Sequence, residues 1–493
     1  MRKKLPIFYS ALMLTGVNLL LRLVSTSFQV YISGRIGASG VGLLQLVMSV
    51  GSLAMTAGMA GIRTATMYLT AEELGRKHPG NVIWVLSGCF LYSILCSGAV
   101  SLLLRISAPF LAQHWIGDSR TTDAVRLFSC FVPVSCLCGV MTGYFTAANR
   151  IGTLAAVEVA EQLFSMVLTM TALTFWAGSD PAKACQSVIL GSGISSCLTL
   201  GCLVFLRMAE GVKAAPRIPV QKRLLQAAVP LALADDLKAG ISTTENLMVP
   251  KRLALFPGTD DPLAAFGTVC GMVFPVLMFP AAILFGLAEL LIPELARCAA
   301  AGSNRRIRYL VKRSLRVAIL YGCLFCGLEF LLSRELCMAL YANQEAGQYL
   351  QLYSLLIPML YCDAITDAMT KGLGQQKACV RYNIITSSLD VVLLFLLLPK
   401  FGMKGYFFSF LVTHLLNFIL SLRRLLKIVG NVLSPSAPIL AGIGTVCAIF
   451  IASHVHQPIF RGCAYVTVLG CVLTLFRVVG KEDIRWLQGL GSK

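Results

Sequence analysis

The chain contains 493 residues, of which 57% are hydrophobic and 13% are charged, whereas about 25% of the residues in soluble domains are charged. This composition excludes an ordinary soluble protein and predicts a chain that lies largely in lipid. The net charge of +19 does not indicate nucleic-acid binding, because the basic residues lie in short segments between apolar runs, where they set the orientation of a membrane protein.

Windows of about 20 apolar residues predict an all-α chain with about fourteen membrane-spanning helices. The basic residues 2–4 precede an apolar stretch that continues to about Ser33. This stretch is too long for a signal peptide and has no A-x-A cleavage site, so we expect it to remain as the first helix. The predicted spans are 6–33, 41–70, 82–106, 125–148, 153–176, 184–206, 224–250, 264–292, 310–333, 348–370, 380–398, 403–422, 437–455 and 463–479.

A basic segment with two prolines, Arg207–Arg223, separates two sets of six spans. It predicts a six-helix lobe (1–208), a cytoplasmic basic linker (209–223), a second six-helix lobe (224–430), and an extra helix pair with a cytoplasmic tail (431–493). Connections of at most about 20 residues leave no room for a folded soluble domain.

The loop charges predict that both termini are cytoplasmic and that the chain is a multi-pass protein of the cell membrane. When basic residues at the ends of spans are counted with the adjacent loops, the inside segments hold 27 of the 42 lysines and arginines, the outside segments hold 11, and four lie within spans. An excess of basic residues in short inside loops is typical of membrane proteins. A miscount by one helix would mix the two sets of loops, so the asymmetry also supports the number of spans.

Halves that begin on the same side of the membrane form parallel repeats with a cavity between them. Interruptions at corresponding places of the two halves indicate helices that move or form a site. Gly58 and Gly61 interrupt the second span, and Pro275 and Pro280 interrupt the eighth, so these four residues are the predicted gating positions. The alternative is that the glycines only allow close helix packing.

Three basic residues lie within predicted spans: Arg22 in the first, Arg63 in the second, and Lys238 in the seventh, which opens the second half. Charges at such depth normally face a cavity or a protein interior. We interpret them, together with Asn18, as residues that bind a large anionic substrate such as a lipid-linked phosphate. For Lys238 an ion pair with Asp235, three residues earlier on the same helix, is an equally open interpretation.

Acidic residues at depth are candidates for proton or sodium coupling, or for partners of the buried cations. They are Asp235, Asp236, Glu245, Asp363 and Asp390. Asp367 and Lys371, four residues apart, are predicted to form a structural ion pair. The scattered histidines and the single C-x-x-C pair, Cys323 and Cys326, do not indicate a metal site, and no catalytic set is predicted.

Several short stretches together resemble one transporter superfamily. They are Gly37-Ala-Ser-Gly-Val-Gly-Leu-Leu-Gln45, Gly143-Tyr-Phe-Thr-Ala-Ala-Asn-Arg150, Glu245-Asn-Leu-Met-Val-Pro-Lys-Arg-Leu253, Leu291-Ile-Pro-Glu-Leu295 and Leu398-Pro-Lys-Phe-Gly-Met-Lys-Gly405. The chain resembles the multidrug/oligosaccharidyl-lipid/polysaccharide exporter superfamily over nearly its whole length. Within it, the chain resembles the stage V sporulation protein B and polysaccharide-biosynthesis branch, which is related to the MurJ-type lipid II flippases.

The resemblance implies two six-helix lobes around a V-shaped cavity and a non-enzymatic flippase that works by alternating access. Its implied partners are the lipid bilayer and a polyprenyl-(pyro)phosphate-linked glycan, and a monomer without cofactor is expected. Coupling to a proton or sodium gradient, or to the membrane potential, is left open. Arg22 and Arg63 correspond approximately to cavity arginines of the MurJ type, but Ser27–Gln29 replace the second arginine and the aspartate of that pattern.

The alternative functions are a drug/cation antiporter of the same superfamily and a membrane-embedded glycosyl polymerase or transferase. An antiporter for cations favours acidic residues where this chain has Arg22. A polymerase would be expected to carry a large outer loop with catalytic residues, and no such loop is predicted.

Overall fold

The computed structural model describes residues 7–178, 180–211, 216, 219–430, 432 and 436–475, and the regular secondary structure of these residues is entirely helical. The helices are α1 (Ile7–Met59), α2 (Ile62–Gly75), α3 (Val82–Phe110), α4 (Thr122–Ala147), α5 (Ile151–Ala172), α6 (Pro181–Met208), α7 (Gln221–Leu253), α8 (Pro262–Gly267), α9 (Phe274–Leu277), α10 (Ala281–Ala300), α11 (Asn304–Tyr341), α12 (Gln344–Tyr353), α13 (Ile357–Gly372), α14 (Gln376–Phe401), α15 (Met403–Val429), α16 (Ser436–Ala452) and α17 (Pro458–Leu475).

The all-α, polytopic fold class is confirmed. Nine helices of the described chain are long and apolar enough to cross a membrane, or ten if the bent pair Pro262–Leu277 and Ala281–Ala300 is one span. Four additions bring these ten helices to the fourteen predicted spans. One comes from dividing α1 at Gly37, where the backbone leaves helical geometry (φ 70°, ψ 178°). The other three are α7, the α12–α13 pair and the shorter apolar helix α16.

The chain forms two compact units. The continuous unit comprises Arg35–Gly267, and the split unit comprises the residues up to Gly34 together with those from Thr268 onward. Their boundaries differ from those of the predicted lobes at residues 208 and 224, because α7 packs within the continuous unit and the residues up to Gly34 belong to the split unit. Hydropathy reveals repeats but not which helices touch, so the lobes as repeats stay a prediction.

In the continuous unit, α2 packs on α7 through a close backbone approach. Gly61 has a left-handed backbone (φ 70°), and a Cβ atom there would lie 2.5 Å from the carbonyl oxygen of Ala228. Beyond this contact, the Arg223 guanidinium pairs with Glu72 at 2.6 Å and with the buried Glu73 at 2.9 Å. Apolar side chains of α2, α3, α4 and α7 surround the junction.

In the split unit, the long helix α11 packs against α12, α13, α16 and α17. The predicted eighth span is broken before α10, with a bend of 64°. Two carbonyl groups near the break accept hydrogen bonds from tyrosine hydroxyls: Tyr361 donates to Leu277 at 3.1 Å and Tyr321 donates to Pro280 at 2.8 Å. A broken helix is tolerated within a membrane protein when neighbouring groups satisfy its backbone in this way.

Candidate functional site

A polar cavity of about 580 Å³ lies in the continuous unit, between the α1–α2 segment and α7. Its volume falls in the range of about 300–1,000 Å³ that is typical of small-molecule sites. The lining residues are Gln45, Met48, Ser49, Ser52, Thr56, Met59, Gly61, Arg63, Thr64, Asp235, Lys238, Ala239, Ser242, Thr243 and Asn246. Eleven of these carry a polar or charged side chain, which is unusual for a wall built from membrane helices.

Helical periodicity places the polar side chains on facing stripes. On α1 the stripe is Gln45, Ser49, Ser52 and Thr56, and on α7 it is Asp235, Lys238, Ser242 and Asn246. Residues three or four apart share one face of a helix. The polar groups of each helix therefore converge on the cavity.

Contacts between the same helices border the cavity at both ends. At one end Thr243 Oγ1 donates a hydrogen bond to the Ser49 carbonyl oxygen at 3.2 Å, and Asn246 Nδ2 donates to Ser49 Oγ at 3.0 Å. At the other end Gly61 meets the backbone of α7 at Ala228. Opening of either end therefore requires α7 to separate from α1 or α2.

The charged groups of the cavity are two cations and one acid, Arg63, Lys238 and Asp235, and all three side chains are exposed. The proposed local pair of Asp235 with Lys238 is absent, because no ion pair within 4.0 Å joins them in the described chain. Arg63 interacts electrostatically with Glu158 of α5. The lining residues of the cavity, which do not include Glu158, carry a net positive charge.

The other predicted substrate-binding residues lie outside this cavity. Arg22 belongs to the split unit, where it is half-buried and its Nε atom has no hydrogen-bond partner among the described residues. The Asn18 side chain lies outside what the structure describes. The structure thus brings Arg63 and Lys238 together and assigns Arg22 to a different compact unit.

Two of the predicted acids are buried and hydrogen-bonded in the split unit. Asp363 accepts a bond from Asn417 Nδ2 at 2.9 Å and lies 3.3 Å from His414 Nδ1. Asp390 Oδ1 accepts bonds from Ser409 Oγ at 2.6 Å and Thr413 Oγ1 at 3.2 Å. These two acids, Asp363 of α13 and Asp390 of α14, are therefore matched by donors on α15.

The remaining predicted acids lie on α7 or form structural pairs. Asp236 and Glu245 are half-buried and are not among the lining residues, and Asp236 Oδ1 has no hydrogen-bond partner among the described residues. The predicted pair of Asp367 with Lys371 is confirmed, with 2.6 Å between oxygen and nitrogen.

The predicted gating residues occupy three kinds of place. Gly61 lines the cavity, whereas Gly58 is buried against Val132 and Cys136 of α4. Pro275 lies at the start of α9, and Pro280 lies at the N-terminus of α10, next to the 64° bend. A gating role remains a prediction for all four.

Sequence reasoning missed the neutral polar wall of the cavity and the donors to the buried acids. The polar stripe at positions 45, 49, 52 and 56 could have been found from its helical spacing within an apolar span. The donors Ser409, Thr413, His414 and Asn417 are also spaced on one helix. Their acids, however, lie 19 to 54 residues earlier, and no local pattern connects them.

Comparisons with known proteins agree with this architecture. The family model described as MatE matches residues 256–396. Among solved structures, the chain is similar to lipid II flippase MurJ in an inward closed conformation, with 12% identity, a TM-score of 0.67, and coverage of 97% of this chain and 99% of that chain. It is also similar to a multidrug resistance MATE family transporter in an inward-facing conformation, with 12% identity, a TM-score of 0.67, and coverage of 85% and 98%.

The helical fold and these matches define a polytopic membrane protein with the fold shared by MATE transporters and the lipid II flippase MurJ. In sequence, the chain is similar to Stage V sporulation protein B of Bacillus subtilis (strain 168). The two sequences are 21% identical over 512 residues, and the match covers 97% of each.

Proposed function

We propose that this protein is a non-enzymatic flippase that moves a polyprenyl-(pyro)phosphate-linked glycan across the cell membrane by alternating access. The observation that carries the proposal is the cavity of the continuous unit, in which Arg63 and Lys238 face one acid, Asp235. The match with MurJ and with Stage V sporulation protein B over nearly the full chain also supports it.

The cavity chemistry fits the two parts of such a head group. Arginine can grip two phosphate oxygens at once, and lysine supplies a mobile point charge. The hydroxyl and amide groups of Ser49, Ser242 and Asn246 offer both donors and acceptors, which sugar hydroxyls require. Asp235 adds an acceptor without cancelling the positive charge.

A drug/cation antiporter of the MATE type is the alternative function. The exposed Asp235 in the cavity favours it, as does a TM-score of 0.67 with a multidrug transporter. A cationic drug, however, would enter beside Arg63 and Lys238, and like charges at short range repel. The two functions therefore predict opposite responses to reversal of these charges.

The test is transport by full-length protein in proteoliposomes, together with mass spectrometry of the lipids that copurify with it. We expect a copurifying polyprenyl phosphate and flipping of a polyprenyl-pyrophosphate-linked glycan. Arg63→Glu and Lys238→Glu should each slow this flipping roughly tenfold to hundredfold, since a charge-assisted contact contributes about 1.5–3 kcal/mol.

Arg76→Glu is the matched control, because Arg76 directly follows α2, the helix of Arg63, but is exposed and outside the cavity. It should flip the glycan at the wild-type rate. Recovery of amphipathic cations without polyprenyl phosphate, with cation transport that survives Arg63→Glu, would instead establish the antiporter. The cytoplasmic position of both termini and the monomeric state are parts of the same proposal.

A further inference from the structure

The split unit contains a buried acid that has no matched donor. Four acidic side chains are buried in the described chain: Glu73, Glu329, Asp363 and Asp390. The first, third and fourth have hydrogen-bond donors or ion-pair partners. Glu329 of α11 is only 4% exposed, and its Oε2 atom has no hydrogen-bond partner among the described residues.

Glu329 lines an apolar cavity of about 410 Å³ within the split unit. Leu23, Thr26 and Val30 of α1 form one wall, and Phe279 and Pro280, next to the helix break, form another. Glu329 carries the only ionisable side chain among the lining residues of the described chain. The cavity therefore surrounds a single carboxyl group with hydrocarbon, aromatic rings and a few hydroxyls.

The titratable and charged groups around Glu329 do not compensate a negative charge on it. The titratable groups that interact electrostatically with it are Tyr321, Cys326 and Cys337 of its own helix and Tyr361 of α13. Arg22 of α1 and Arg461 of α17 are basic residues of the same unit. Arg461 pairs with Glu335 at 2.8 Å and donates a hydrogen bond to the Leu331 carbonyl oxygen at 3.1 Å. Neither arginine forms an ion pair with Glu329 within 4.0 Å in the described chain.

An isolated carboxylate in apolar surroundings costs far more free energy than the neutral acid, so the group takes up a proton instead. We propose that Glu329 is a proton-binding site that is neutral while the cavity is dry and ionises when the cavity fills with water. On ionisation the carboxyl O–H bond breaks and its proton passes to a cavity water. The ligand of this site is therefore the proton itself.

The position of the cavity connects this proton to helix movement. Its walls come from α1 and from the segment beside the 64° break between α9 and α10. Movement of either wall would admit water and release the proton, and closure would require its return. The inference rests on the proposed transport function, because the proton gradient would drive that movement.

The first experiment detects the proton directly, by infrared spectroscopy of the full-length protein in lipid at neutral pH. We expect a carbonyl stretching band of a protonated carboxyl group that is missing in Glu329→Gln. Gln is close in shape to a protonated Glu and should fold; if Glu329→Gln does not accumulate, Glu329→Asp should shift the band. An unchanged band in the variant that accumulates would overturn the proposal.

Glu335→Gln is the matched control, because Glu335 lies on the same helix but is paired with Arg461 and partly exposed. It should keep the band of the wild-type protein. Loss of the band in Glu335→Gln with its retention in Glu329→Gln would place the proton elsewhere and contradict the inference.

The second experiment measures flipping of a polyprenyl-pyrophosphate-linked glycan with and without an imposed pH gradient. The gradient should accelerate the wild-type protein severalfold and have no effect on Glu329→Gln. An equal response of both proteins would overturn the coupling. Absence of all flipping in the wild-type protein, with the infrared band present, would refute the proposed function while leaving Glu329 as a proton-binding site.

Discussion

At the scale of single residues, the buried acids and the cavity cations have different surroundings. Asp363 and Asp390 accept hydrogen bonds from α15, so both carboxyl groups have polar partners within the split unit. Arg63 and Lys238 instead remain exposed in their cavity. Acids that are hydrogen-bonded within the unit stabilise the fold, whereas exposed cations in a cavity are available to a ligand.

Substitutions of Arg22 test whether the protein also recognises an anion outside the polar cavity. We expect Arg22→Ala to abolish flipping while the folded amount stays nearly unchanged, because its Nε atom makes no hydrogen bond that the substitution would break. Arg22→Lys should retain partial flipping, above Arg22→Glu, because lysine keeps the charge but loses the planar fork. Flipping in proteoliposomes and the yield of folded protein are the measurements.

Arg306→Ala is the control for Arg22, since Arg306 is exposed and pairs with Glu294. It should behave as the wild-type protein. If Arg22→Ala fails to accumulate, Arg22 is a structural residue; if Arg22→Lys and Arg22→Glu flip equally well, head-group charge is not recognised at this position.

Substitutions of Asp390 distinguish a structural role of this acid from a role in ion coupling. Asp390→Ala removes the carboxylate that accepts from Ser409 Oγ at 2.6 Å, whereas Thr413 Oγ1 keeps the Ser409 carbonyl oxygen at 2.9 Å as an acceptor. We expect a loss of about 1–3 kcal/mol in the free energy of unfolding. Asp390→Asn keeps an acceptor oxygen and should lose less. Thermal unfolding in detergent measures both, with the exposed Asp123→Ala as a control that changes little.

Transport by Asp390→Asn then distinguishes the two roles. A structural acid predicts that this variant still responds to an ion gradient. A variant that folds normally but no longer responds would show that Asp390 binds the coupling ion.

At the scale of helices, breaks occur where small residues or prolines permit them. Ala60 (φ 44°) and Gly61 (φ 70°) separate α1 from α2, and the residues between α9 and α10 form the 64° bend beside Pro280. The first break lets α2 approach the backbone of α7. At the second, hydroxyls of Tyr321 and Tyr361 satisfy the carbonyl groups of Pro280 and Leu277.

Gly61→Ala tests the close approach of α2 and α7. The added Cβ would lie 2.5 Å from the Ala228 carbonyl oxygen and would require a left-handed backbone, so we expect a loss of about 1–3 kcal/mol from overpacking. Gly98→Ala is the matched control, because nothing lies within 4 Å of its added Cβ atom and alanine favours a helix. Equal melting temperatures of the two variants would show that the helices do not require this contact.

At the scale of the whole molecule, several contacts within each unit connect segments that the loop charges place on the same side of the membrane. On the predicted cytoplasmic side, Arg223 pairs with Glu72 and Arg424 donates to Gln375 Oε1. On the predicted outer side, Lys251 donates to the His114 carbonyl oxygen and Arg461 pairs with Glu335. These contacts agree with the alternation of the loops, and the side that is cytoplasmic remains a prediction from charge.

Cysteine labelling in intact cells tests the orientation. We expect an impermeant maleimide to modify Lys251→Cys but not Arg306→Cys, because the loop charges place these positions on opposite sides. The unsubstituted protein is the control for its native cysteines. Labelling of position 306 from outside would contradict the predicted topology; Lys493, predicted to be cytoplasmic, lies outside the described residues.

The sequence by itself determined the class of the protein and the positions of its helices. Crossing a bilayer requires about 20 apolar residues in a row, and this requirement is local, so each predicted span overlaps a helix or a broken helix pair of the described chain. Glycines and prolines likewise act on their own backbone, which is why Gly61 and Pro280 were correctly associated with interruptions.

Only the tertiary structure decided which ionisable groups share a site. It brought Arg63 to Lys238 and Asp235 in one cavity and assigned Arg22 to the other unit. It also matched Asp363 with His414 and Asn417, and left Glu329 without a donor on its Oε2 atom among the described residues. These outcomes depend on packing between helices far apart in the chain, and an amphipathic pattern states which face of a helix is polar but not which helix that face will meet.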